Sequence, residues 1–218
     1  IAQNLVDNHP AYMGRTVTEV LQDWNKSSTQ GTQVHNGLED VIIDYNKQRG
    51  KDRAMRHPEE FNSKWETLED IAASKFEHGF TWLQDTFNNR EELTLFPELR
   101  VYSKTFAIAG TMDLLVHNKE KDHYTILDWK TNKALRKKAF KNAKGNKLAT
   151  ADLDDCNFMH YTLQLSLYRY ILEFHYNLKI NNQALIHLTP DGAFLHECDY
   201  LKEHIEQILN VRRGECLL

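Results

Sequence analysis

The chain has 218 residues, 41% of them hydrophobic and 27% charged, with a formal net charge of −4. That is the length of one domain with a sizeable core and the composition of an ordinary globular protein. Net acidity excludes a globally basic nucleic-acid binder, so any such contact must be local. No apolar run has the length of a membrane span and no signal peptide is visible, so no membrane association is expected.

Three cysteines, Cys156, Cys198 and Cys216, lie far apart and form neither a disulfide framework nor a CxxC pair. A reduced, intracellular setting is expected, in the cytoplasm or a phage-infected cell, with mitochondria left open. The chain begins at Ile1 rather than methionine, as expected of a processed or trimmed piece.

Residues 16–24, TVTEVLQDW, predict a short helix with Thr16 as N-cap and Glu19 three positions on. The polar run NKSSTQGT predicts a break. Residues 32–47 place Val34, Leu38, Val41, Ile42 and Tyr45 at helical spacing and predict an amphipathic helix. Residues 49–62 are polar, carry one proline and predict a loop. Residues 63–87 repeat Trp65, Leu68, Ile71, Ala72, Phe76, Phe80 and Leu83 at threes and fours, the pattern of a long helix.

The period then changes. Residues 92–103, ELTLFPELRVYS, alternate and predict a strand, at a sheet edge or bulged near Pro97. Residues 110–133, GTMDLLVHNKEKDHYTILDWKTNK, predict a β-hairpin with HNKEKD as its turn. Residues 134–150 are rich in lysine and predict a mobile loop. Residues 154–176 predict a second long amphipathic helix with Leu163, Leu167 and Ile171 facing the core. Two short strands, 184–188 and 193–198, flank a Thr-Pro-Asp-Gly turn, and residues 200–213 close the chain as a helix. The order predicts an α/β fold with a central mixed β-sheet flanked by helices. One domain is expected over 1–218, helical from about 14 to 90 and sheet-based from about 91 to 218.

Four groups of residues could carry chemistry. In the hairpin, the period of two puts Asp128 and Lys130 on one face with Tyr124 and Ile126, and the turn can bring Asp113 beside them. Two carboxylates in a small site repel unless a cation lies between them. Magnesium and manganese suit oxygen ligands, and can activate water and neutralise charge on a scissile phosphate. Lys130 could deprotonate or orient that water, or stabilise the developing charge. An ordinary salt bridge is the competing account of a lone DxK.

His35 and Glu39 are four apart on the first long helix. His35 could add a nitrogen ligand and so favour manganese tolerance, although one histidine of eleven more often has a plain structural role. Gln164 and Tyr168, with Tyr161 on the same side, could hydrogen-bond a phosphate or stack on a base; core packing of Tyr168 fits equally well. Finally, Lys133, Arg136, Lys137, Lys138, Lys141, Lys144 and Lys147 run without an acid directly after the DWK strand. Such a run binds phosphate by counterion release, unless it merely solubilises a loop. GxGxxG, Walker A, GxSxG and HExxH are all absent.

Taken in order, these motifs resemble the RecB-like branch of the PD-(D/E)XK nuclease superfamily. GTQVHNGLE resembles its GxxxHxxxE helix, GTMD its G-x-x-D strand, LDWK its (D/E)xK strand, and Gln164 with Tyr168 its QxxxY helix. TVTEVL resembles its opening helix, and ILDWKT is similar to the IDWKT strand of mitochondrial genome maintenance exonucleases and related phage exonucleases. The resemblance implies a restriction-endonuclease-like core and a Mg²⁺- or Mn²⁺-dependent exonuclease acting on single-stranded DNA or DNA ends. It implies His35, Asp113, Asp128 and the Trp129 carbonyl as metal ligands, and Asp113, Asp128 and Lys130 as catalytic residues. Gln164 and Tyr168 would hold the DNA, with Lys133, Arg136, Lys137 and Lys138 on its backbone. Glu98 occupies the place of an extra acid in some relatives, with Glu39 as a further accessory acid. The four cysteines of relatives with an iron–sulfur cluster are missing, so no cluster is expected. No helicase motif is present, and unwinding would come from a helicase or a replication or repair partner. The alternatives are a structure-specific or restriction-type endonuclease, and a nucleic-acid-binding module without catalysis.

Overall fold

The computed structural model describes residues 2–8, 12–48, 50 and 52–215, with side chains at 8 and 211–215 left aside. After a short helix α1 (Ala2–Asn8), which the sequence pattern does not announce, the chain forms α2 (Val17–Lys47) and α3 (Asp70–Phe87). The strands β1 (Leu93–Ser103), β2 (Ile108–Asn118) and β3 (His123–Lys130) follow, then α4 (Asn157–Tyr176), β4 (Ile180–Thr189), β5 (Gly192–Glu197) and α5 (Lys202–Glu215). The sheet runs in the order β1-β2-β3-β4-β5. All neighbours are antiparallel except β3 and β4, which are parallel and joined through α4. This is the mixed α/β fold that the pattern predicts. Among the described residues no helix is long and apolar enough to cross a membrane. Cys156 and Cys198 are buried free thiols, and Cys216 lies outside the described residues.

Two predicted boundaries are corrected. The expected break at NKSSTQGT does not occur: α2 is one helix of 31 residues, opened by the predicted Thr16–Glu19 capping box. The run contains no proline, and its residues lie on solvent-exposed helix where no neighbour imposes an apolar stripe. Its glycine has a packing role, because a Cβ on Gly31 would lie 2.9 Å from Thr131 Oγ1. The second helix begins at Asp70, not at residue 63. Asn62 accepts from the Lys64 amide in a local turn that competes with helix, and Trp65 and Leu68 reach the core from a loop.

The sheet is covered on both faces. Against one face pack α2 and α3, through Val34, Leu38, Ile42, Phe76 and Leu83, onto Leu95, Leu114, Leu127 and Ile186. Against the other packs α4, through Leu165, Tyr168, Ile171 and Leu172, onto Val101, Met112, Ile126 and Leu185. The α4 stripe is therefore rotated from the one expected. Leu163 packs towards Phe106 and the α5 residues Ile205 and Leu209, Leu167 touches both clusters, and Ile171 faces the core as expected.

A strand alternates its faces strictly, but β1 and β2 do not. Leu95 faces α2 and α3, whereas Leu99 and Val101 face α4. Met112 faces α4, whereas Leu114 and Val116 face α2 and α3. Both strands change face at one level, at Glu98 and Asp113. The paired register stays continuous on either side, from Pro97↔Leu114 to Leu99↔Met112, and Glu98 takes a left-handed φ of 46°. The irregularity predicted near Pro97 is thus one residue further on, in an edge strand.

Candidate metal centre

The change of face positions the site. The β2–β3 ladder ends at Leu114↔Leu127, so Asp113 and Asp128 come next, where the strands part. A buried amide at such a point needs another acceptor. The Trp129 N–H donates to Asp113 Oδ2 at 2.8 Å, so this carboxylate closes the ladder in place of a backbone carbonyl. From α2, His35 Nδ1 comes within 3.4 Å of the same oxygen. Glu98 arrives from β1, and ligand atoms of His35, Glu98 and Asp113 all lie within 4.8 Å of one another. One imidazole and two carboxylates at that separation can chelate a divalent cation.

Asp128 lies outside that trio. It is 2% exposed, on the α4 side of β3, in ion-pair contact with Lys130 Nζ. The Asp128 Oδ2 atom is fully buried, with Lys130 as the cation beside it. Burial first, then the charge of Asp113, pushes the Asp128 carboxyl up to about 6, although Lys130 and His35 pull the other way. Lys130 is held between this carboxylate and the Tyr161 ring, whose centroid is 4.5 Å from Nζ. Asp128, Lys130, Tyr124 and Ile126 do share one face, as the period of two predicts.

The electrostatics are those of a site short of positive charge. Burial pushes Glu98 up, and Asp113 and Glu39 add to it. Burial also raises Glu39, which sits one turn beyond His35 and outside the trio. Burial alone would lower His35, but its hydrogen bond to Asp113 and the charges of Asp113 and Asp128 together outweigh this and raise it. A cation would relieve all of these groups.

The other predicted residues lie around this centre. Trp129 buries its ring edge-on to Trp82, with centroids 5.5 Å apart. Tyr168 packs in the core at 7% exposed, and its hydroxyl accepts from Gln164 Nε2 at 2.9 Å. Gly110, of the GTMD run, makes room for it: a Cβ there would lie 2.5 Å from Tyr168 Cε1. Lys133, Arg136, Lys137 and Lys138 are exposed in the segment between β3 and α4. The expected loop carries short 3₁₀ turns at Phe140–Asn142 and Leu148–Thr150. Asn157 brackets it by accepting from the Arg136 amide and donating to the Ala134 carbonyl. Lys137 lies over the Phe158 ring, and Lys144 pairs with Asp154. Sequence reading missed Lys75, whose Nζ donates to the Thr131 carbonyl at 2.5 Å. Its signal was a lysine within the buried stripe of α3, between Ala72 and Gly79.

Residues 11–211 match the sequence profile of the PD-(D/E)XK nuclease superfamily, and the chain belongs to that superfamily. A solved structure of a candidate exonuclease from Eubacterium rectale is similar, with a TM-score of 0.46 and 13% identity, over 88% of this chain and 66% of that one. The chain thus spans just under two thirds of that protein. The solved structure of SSO0001 is similar with a TM-score of 0.33 and 12% identity, over 83% of this chain and 85% of that one. Among curated proteins no match is found.

Proposed function

We propose that the chain is a Mg²⁺- or Mn²⁺-dependent deoxyribonuclease of the RecB-like branch, an exonuclease that hydrolyses phosphodiester bonds in single-stranded or end-processed DNA. The observation that carries this reading is the convergence of His35, Glu98 and Asp113 beside the buried Asp128–Lys130 pair, in a chain of this superfamily. His35, Asp113 and Asp128, with the Trp129 carbonyl and Glu98, would hold the ion. The donor set fits one, being mostly carboxylate oxygen, with the Glu98 and Asp128 carboxyls pushed up by burial and by neighbouring carboxylates. A bound ion would supply a Lewis acid at the scissile phosphate and an acidified water.

The chain's own residues do the rest. Lys130, fixed by Asp128 and Tyr161, orients the attacking water and steadies the charge that builds on the phosphate. The Gln164 amide positions the strand, with the Tyr168 hydroxyl locking its orientation. Lys133, Arg136, Lys137 and Lys138 track the backbone phosphates. The exonuclease reading rests on the resemblance of ILDWKT to the mitochondrial and phage enzymes. On this reading the whole chain acts as one nuclease domain, and strand separation is left to a helicase or another replication or repair partner.

The test is a time course on end-labelled single- and double-stranded DNA with Mg²⁺ or Mn²⁺, beside a closed single-stranded circle. Stepwise loss from an end with the circle intact is expected. A cut circle would replace the reading with an endonuclease, and DNA binding without metal binding or cleavage would replace it with a binding module. Lys130→Ala should abolish cleavage in a folded protein; activity retained by the pure variant would remove Lys130 from its role.

A further inference from the structure

Lys75 lies on the buried stripe of α3, three residues after Ala72 and four before Gly79. A lysine in such a place ordinarily carries its ammonium out to water. Here the Nζ is directed instead at the Thr131 carbonyl, 2.5 Å away. Among the described residues, no carboxylate comes within ion-pair distance of it. Desolvation is what acts on its titration, lowering the pKa, with no acid to offset it. An ammonium has three donors, and the neutral Thr131 carbonyl occupies one of them.

The place matters as much as the chemistry. Thr131 directly follows Lys130 and lies two residues from Trp129, whose amide binds Asp113. From the other side Gly31, one helical turn before His35, closes onto Thr131. Lys75 therefore stands beside the end of β3 at the edge of the candidate metal centre, reaching it from α3 on the face of the sheet opposite Lys130. A cation held at the end of β3, two residues along the backbone from the Asp113–Trp129 contact, is placed to meet a phosphate neighbouring the reacting one.

We infer that Lys75 anchors a backbone phosphate of the DNA strand on the α2–α3 side of the centre, a second hold separate from the lysine-rich loop. This rests on the nuclease reading above. The competing account makes Lys75 a tie between α3 and the end of β3 and nothing more.

The experiment measures binding of a fluorescently labelled oligothymidine by the full chain in EDTA, across a KCl series. Lys75→Gln keeps a donor for Thr131 but removes the charge. It should weaken binding about threefold and lower the slope of log K against log salt by about 0.7, while Lys75→Arg restores both. A folded Lys75→Gln protein with the wild-type slope overturns the inference. Should that variant not fold, acetylation of the wild-type protein decides. DNA should protect Lys75 from the reagent, read by mass spectrometry, and equal modification with and without DNA overturns the anchor. A wild-type chain that neither binds nor cuts DNA overturns the nuclease reading itself; one that does both while Lys75 is indifferent overturns this inference alone.

Discussion

Replacing Asp128 with asparagine should flatten the pH dependence of the metal-free protein's stability while destroying its activity. The carboxyl moves from 3.8 to about 6 on folding, chiefly because it is buried. The folded chain thus holds this proton more tightly than the unfolded chain. The associated stability is fully present below pH 3.8 and is lost as pH rises through about 6. At ~1.4 kcal/mol per tenfold change in proton affinity, the loss is about 3 kcal/mol by pH 7. The asparagine side chain cannot ionise, so that part of the pH dependence should vanish. Loss of the Lys130 ion pair in the variant works against the gain near neutrality and leaves a clear reduction in slope. His35, Glu39 and Glu98 are also raised and act in the same direction, so the comparison between the two proteins, not the wild-type curve, carries the test. The assay is urea unfolding in EDTA at a series of pH values from 4 to 7.5. Parallel curves for wild type and Asp128→Asn would refute the reasoning.

Asp113→Asn and Asp113→Ala should part company in stability and agree in function. Asparagine keeps an acceptor for the Trp129 amide, whereas alanine strands it at a cost of about 1–3 kcal/mol, and both should lose Mn²⁺ binding by calorimetry. Gly110→Ala should cost about 1–3 kcal/mol in urea unfolding, because the new methyl meets the Tyr168 ring; an unchanged midpoint would mean that the ring has room to move.

Much of the fold was legible because alternation and helical spacing record burial directly. The hairpin was readable from two apolar runs and a polar turn, and the common face of Asp128 and Lys130 followed from the strand period alone. What escaped was structure without a stripe. The exposed stretch of α2 has no partner to impose one, and Trp65 and Leu68 mimic helical spacing from a loop. Within the site, the resemblance placed Glu98 as an extra acid near the metal, but no sequence period showed its approach to His35 and Asp113. That approach depends on a left-handed residue and a face change that no periodicity announces. Lys75 needed the fold, since only the packing of α3 over the end of β3 places it near the centre.

The face change at Glu98 and Asp113 also couples the phase of β1 and β2 to the chemistry. Sliding one strand a single residue past the other would separate the two acids, and on one side of the step it would turn leucines out of one core and into the other. Length variation in this hairpin is therefore confined to its connections, at residues 104–107 before β2 and 119–122 after it. The strands between must keep their count, and the two cores act as the ruler that sets the spacing of the acids.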